Sequence, residues 1–454
     1  MPDTAALLPR NATARAEAVV PERTAATAPS PPPALVAAKE LAADVAPFSV
    51  AQAHGARIID ATGRSFIDLN MGHGALLLGH GAAAIKDALA AQLERGWQHG
   101  FHHAARDELV DLISAVGATN EKVTLCDTSS DATMLALRAA RAFTGRPRVA
   151  LFAGAHHGLH DAALMTRRAW LEIPANDALP TADAHLGAGV PAELKAGVGV
   201  LPFGADAALD LIQRHRRELA AVMVEPCPDN ALSTGHGPWL RALQATCREA
   251  GVVFILDETL TGFRLRFGGA QEAFDLAPDL TIYGGALGGG LPLAAIAGRR
   301  EIMDVFAGAP AEKAVFSGSV HAGNPLSVAA ALAFLRVLSD HRDTVYTQLN
   351  GAAATLAVNF NSEAKALGLH ARMRVAGSMF RIDFGARAAH GTPAPHLGER
   401  EQSFYRRLFD RNILVHASMR CFFSTAHTVG DLAALTSAMT EGLRLLAEEA
   451  TFPR

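Results

Sequence analysis

The stretch "GVVFILDETLTGFR", residues 251–264, is an almost unbroken apolar run that stops at an Asp-Glu pair. A run of this length and composition, flanked by polar and glycine residues, reads as a strand buried on both faces. "PRVALFAG", "AAVMVEP" and "DLTIYGG" read the same way, and helical stretches such as "WLRALQATCREAG" lie between them. Strand, helix, strand at this rhythm predicts an α/β fold, a parallel sheet with helices on both faces. Ligands in such sheets sit at the carboxyl ends of the strands. The polar residues there are Asp127 to Asp131 after "KVTLC", His156 and His157 after "VALFAGA", Glu225 after "AVMV", and Asp257 with Glu258 after "VVFIL". The glycines of "TIYGGALGGGLP", residues 281–292, complete the set.

Asp257 ends an apolar strand and is costly to bury as an ion without a cation or several donors. A ligand, Arg264 or Arg266 can supply the partner. "DTSSDATMLALRAARAFTG" reads as a capped helix, with Thr128, Ser129 or Ser130 giving the cap oxygen and Asp131 at the positive end of the dipole. The same geometry can hold an anion. His157 on its own reads as an ordinary hydrogen-bonded histidine.

Composition bounds the rest. A chain of 454 residues, half of them apolar, is long enough for two domains and a large core. A net charge of -4 with 19% charged residues gives no basic stripe for nucleic acid, which points to a small-molecule ligand. Cys126, Cys227, Cys247 and Cys421 are too far apart for zinc spacing, so no metal site is expected. No apolar run is long enough to span a bilayer and no secretory pattern opens the chain, so no membrane contact and a cytoplasmic location are the expectation. Residues 1–40, rich in Ala and Pro, read as a disordered leader. Residues 41–105 are read as an N-terminal part of a small domain, 106–330 as the large cofactor-binding-type domain and 331–454 as the C-terminal small domain.

From about residue 42 to residue 447 the order of these pieces resembles the fold-type I, class III aminotransferases, within them the glutamate-1-semialdehyde aminomutase branch. "VTLCDTSSDATMLALRAARAFTGRPRV" resembles the helix that follows the family's Ser-Gly-Thr-Glu-Ala phosphate motif, and "FAGAHHGLHDA" its aromatic-His-Gly segment. "VEPCPDN" resembles its Glu-Pro strand end, "LDETLTGFRLRFGGAQ" its Asp-Glu-(Val)-x-Thr-Gly-Phe-Arg signature, and "FFSTAHTVGDL" its C-terminal end. The resemblance implies a mostly parallel seven-stranded sheet, a smaller α+β domain, and a homodimer in which "FSGSVHAGNP" reaches the neighbour's site. It also implies a pyridoxal 5'-phosphate (PLP) or pyridoxamine 5'-phosphate (PMP) cofactor. Asp257 would then pair with the ring nitrogen, with Thr128, Ser129, Ser130, His156, Glu225 and Ser319 around the cofactor.

One family residue is missing. Where the family reads Leu-Gly-Lys, this chain reads Tyr283-Gly284-Gly285, so Gly285 takes the Schiff-base lysine's place. None of the six lysines lies in a segment the family places over the ring. Other departures accompany it. His156 replaces the stacking aromatic, His73 an expected tryptophan, and Ala46-Pro47-Phe48-Ser49 the Ser-Pro-x-Arg substrate clasp, so glutamate semialdehyde is not the expected substrate. Correlated departures imply a redirected site. Three readings stay open: non-covalent PLP or PMP binding with altered amino-group chemistry, a cofactor-independent enzyme using His/Asp chemistry in the same cleft, and a non-catalytic pseudoenzyme. His156, His157 and His321 are the candidate acid/base groups in the lysine's stead.

Overall fold

The computed structural model describes residues 48–166, 178–182, 184–185, 188–385, 398–415 and 419–451; the leader expected over 1–40 lies outside them, as do Ala46 and Pro47. Seven strands form the central sheet: β1 Lys122–Cys126, β2 Arg148–Phe152, β3 Val198–Leu201, β4 Leu219–Val224, β5 Val253–Glu258, β6 Leu280–Tyr283 and β7 Ala294–Gly298. They lie in the order β1-β7-β6-β5-β4-β2-β3. Only β7 runs against its neighbours; the other pairings are parallel.

The two-residue period of a strand explains why the runs are apolar throughout. In β4, Val222 and Val224 pack into a core shared with Leu240, Leu243 and Cys247 of the helix Gly237–Ala250. Ala221 and Met223 point the other way, into a core shared with Ala132, Leu135 and Ala136 of the helix Ser129–Thr144. Both faces are covered, so no strand position is left to solvent. The antiparallel β7 was not among the apolar runs read from sequence. Its "AAIAG" is short and alanine-rich, and it directly follows the glycine turn.

The stretch "GARIIDATGRSFIDLN", apolar residues alternating around a polar turn, forms a hairpin of Arg57–Asp60 against Ser65–Asp68. Strand Ile413–Leu414 pairs in parallel with Ser65–Asp68, which joins the two ends of the chain. A second small sheet unites Ala371–Ala376, Met379–Phe384 and Cys421–Phe422. The backbone then ties it to the first, because the Phe422 amide donates to the Leu69 carbonyl at 2.8 Å. This pairing brings Arg420 over the carboxyl ends of the large sheet. Among the described residues no helix is long and apolar enough to cross a membrane, and no cluster of three metal-ligating side chains occurs.

Candidate functional site

The register of the sheet sets the level of the site. Asp257 pairs with Ile282, and Leu256 with Val224, so Glu225 leaves β4 level with Asp257 while Gly284 and Gly285 leave β6 just beyond. Asp257 is only 2% exposed. Its Oδ2 lies 2.6 Å from Nδ1 of His157, and its Oδ1 accepts from the Thr259 amide at 3.0 Å. Burial pushes the carboxyl up, but the hydrogen bond and charge of His157 and the Thr259 donors outweigh it and hold Asp257 below its usual range. Asp257 is therefore an ionised carboxylate at neutral pH. The partner within the chain is His157; of the candidates offered from sequence, a ligand, Arg264 or Arg266, neither arginine reaches the carboxylate. Arg264 turns to the carbonyls of Leu260 and Gly74 and the Ser378 hydroxyl, over the Phe422 ring. Arg266 faces solvent beside Glu272.

His157 is itself fixed from behind. The Thr133 hydroxyl donates to its carbonyl at 2.6 Å, and Thr133 comes from the helix Ser129–Thr144. The ring is buried, yet Nε2 has no partner. A buried polar atom of this kind costs free energy unless something supplies the missing bond.

Thr128 is the N-cap of that helix, in a reciprocal capping box with Asp131. The box uses the Asp131 amide, and the first two amides, of Ser129 and Ser130, need acceptors from outside the helix. Backbone packs tightly around them: a Cβ on Gly158, whose φ is +104°, would lie 2.6 Å from Ser130 Oγ. Ser130 Oγ also accepts from the Leu159 amide at 3.1 Å. Ser319 reaches this region through its own chain, donating to Asp127.

Gly285 sits against Thr259 and Leu260, just past Asp257. Its φ is +50°, and a Cβ built on it would stand 2.4 Å from the Thr259 carbonyl oxygen. Left-handed backbone and that close approach both favour glycine, so any side chain here, lysine included, requires the turn to move.

Glu225, 5% exposed, does not stand alone either. Arg420 donates from Nη1 to Glu225 at 2.7 Å and from Nε to Asp229 at 2.7 Å. Burial pushes the Glu225 carboxyl above its usual range although Arg420 draws it back, while Asp229, nearer water, is held below its usual range by Arg420 and Arg381 against burial. His156 is exposed on the open side, within electrostatic reach of Asp257, Asp229 and Arg420. Partial enclosure by protein, then His157, lowers its pKa, so it is mostly uncharged at neutral pH. His321 sits apart on an exposed loop, near Gln98.

The strand ends thus bring His156, His157, Glu225, Asp257 and Gly285 to one place, with Ser129 and Ser130 at its edge. Sequence reasoning overlooked Arg420, Asp229 and Thr259. The first two had a signal: two carboxylates in "VEPCPDN" need a cation, and "MRCFF" holds one between apolar residues.

The family described as aminotransferase class-III matches residues 39–418. Glutamate-1-semialdehyde 2,1-aminomutase 1 of Cenarchaeum symbiosum is 37% identical over 406 residues, 87% of this chain and 92% of its own. Among solved structures, an omega-transaminase from Sphaerobacter thermophilus superposes with a TM-score of 0.80 at 28% identity, covering 88% of this chain and 92% of its own. A lysine-to-alanine variant of a Pseudomonas aeruginosa glutamate-1-semialdehyde-aminomutase, in complex with PMP, shares the fold with a TM-score of 0.74 at 23% identity, 88% of each chain covered.

Proposed function

This chain belongs to the class III aminotransferases, and from that premise we propose that it binds PLP or PMP without a covalent link and carries out altered amino-group chemistry on a small molecule. The observation that carries the reading is the Asp257 carboxylate: buried, ionised and oriented by His157 at 2.6 Å. A protonated ring nitrogen is the cation such a carboxylate fits. The Ser129 and Ser130 amides offer a phosphate the positive end of a helix. Bound there, the cofactor supplies an electron sink for a carbanion.

The chain's own residues divide the remaining tasks. His157, buried, holds Asp257 in place. His156, neutral and open to the cleft, takes and returns the proton that a lysine amine moves in relatives. Arg420, taken up by Glu225 and Asp229, fixes the wall of the cleft within electrostatic reach of His156. The PMP complex of the lysine-to-alanine Pseudomonas variant supports non-covalent retention as a workable mode in this fold. A homodimer belongs to the same reading: Phe101 and Phe316 are 86% and 91% exposed, a poor state for aromatic side chains in a lone chain.

A second reading, cofactor-independent His/Asp chemistry, draws on the unpartnered Nε2 of His157. Isothermal titration calorimetry of the full chain separates the two. The proposal predicts saturable binding of PMP, PLP or both below about 1 mM, worth at least about 4 kcal/mol. Absence of binding by both at that level would overturn it, leaving cofactor-independent chemistry or a non-catalytic protein.

A further inference from the structure

Asp229 lies just beyond the central sheet, and the chain around it is pinned to the loop that carries His156. Its neighbour Asn230 donates from Nδ2 to the Ala153 carbonyl at 3.0 Å, and a Cβ on Gly154, whose φ is +83°, would lie 2.5 Å from the Asn230 amide group. The turn Asp229–Ala231 is thereby fixed against the residues that leave β2 and lead to His156. On its other side the Asp229 carboxylate accepts from Arg420 Nε at 2.7 Å, and the Asp229 carbonyl accepts from Arg381 Nη1 at 3.0 Å. These contacts hold the carboxylate in one orientation, while 38% of its side chain stays exposed.

Charge decides what this placement does. The groups within electrostatic reach of His156 are His157 beside it, Asp257 on β5, Asp229 on the turn and Arg420 next to the strand Cys421–Phe422. On the cofactor reading Asp257 gives its charge to the ring nitrogen. Arg420 is one cation between two carboxylates, Glu225 and Asp229, so with both ionised the trio carries one excess negative charge. Against burial, Arg420 and Arg381 hold the Asp229 carboxyl below its usual range, and it is charged at neutral pH. A base that takes up a proton becomes a cation, which a fixed carboxylate nearby stabilises.

We propose that Asp229 is a positioning residue acting through His156: anchored by Arg420 and Arg381, its carboxylate supplies the counter-charge for the proton that His156 takes up. This rests on His156 as the proton carrier of the reading above and adds the group that lets it hold the proton. The two act through charge rather than a hydrogen bond, unlike His157 with Asp257, which leaves the His156 ring available to a substrate.

Nuclear magnetic resonance of the full chain, labelled at histidine and aspartate and free of cofactor, tests this, with the His156 signal assigned by its loss in His156→Gln. Asp229→Asn, which keeps the shape and removes the charge, is expected to lower the titration midpoint of His156 by at least about 0.5 pH unit, a modest value because water screens a partly exposed pair. Asp229→Glu, which keeps the charge, should hold the midpoint within about 0.2 pH unit. Coupling between two sites is reciprocal, so His156→Gln should raise the midpoint of the Asp229 carboxyl by a similar amount. That second measurement leaves the Arg420 contacts intact and decides the matter even where Asp229→Asn disturbs the fold. A His156 midpoint unchanged in Asp229→Asn, an equal fall in Asp229→Glu, or an Asp229 midpoint unchanged in His156→Gln would overturn the proposal and leave the cofactor reading standing. Binding of neither PMP nor PLP in the calorimetry would sink the cofactor reading alone.

Discussion

Replacing Arg420 with alanine is expected to destabilise the fold by about 3–5 kcal/mol, the range for removing one partner of a buried ion pair. Arg420 is 6% exposed and neutralises two carboxylates, Glu225 and Asp229, each at 2.7 Å. The Asp229 side chain is 38% exposed and can be rehydrated, so most of the cost falls on Glu225. Burial already pushes Glu225 up, and losing the cation pushes it further, so the carboxyl can escape the penalty by taking a proton. The deficit should therefore be full at neutral pH and shrink as pH falls toward the ordinary carboxylate range. Urea unfolding across pH reads it directly. A loss below about 1 kcal/mol at neutral pH would mean that the triad behaves like a surface pair. Arg420→Met combined with Glu225→Gln should recover much of the stability, because the one carboxylate then left without Arg420, Asp229, is exposed enough to be rehydrated.

Asp257→Asn is expected to weaken binding of PMP about 100-fold, equivalent to about 2.7 kcal/mol. The amide keeps the shape and can still accept from Thr259, but it carries no charge for a ring cation and competes with His157 for donor and acceptor roles. Calorimetry gives the affinity and far-ultraviolet circular dichroism checks that the fold persists. Unchanged affinity would show that the carboxylate serves only to hold His157.

The large sheet was legible because β2, β4, β5 and β6 are buried on both faces and so are apolar without alternation. The carboxyl-end rule then pointed to His157, Glu225 and Asp257 before any contact was known. What sequence could not give was pairing. His157 lies 100 residues from Asp257, and Arg420 195 residues from Glu225, so proximity along the chain favoured Arg264 and Arg266 as the partners of Asp257 instead. Gly285 shows the complementary limit: by resemblance it was read as standing in a lysine's place, but only the backbone reveals that the Thr259 carbonyl closes on the space. Ser319 was read as a reach toward a neighbouring subunit; within one chain its hydroxyl meets Asp127.

Mass spectrometry of the chain incubated with PMP or PLP and treated with borohydride distinguishes a vitamin B6 cofactor held without a covalent bond from a trapped one. A cofactor-bearing species is expected under native conditions that loses the cofactor entirely on denaturation, because no amine stands at position 285 to be trapped. A reduced adduct that survives denaturation at one specific lysine, or no bound species under native conditions, would contradict it.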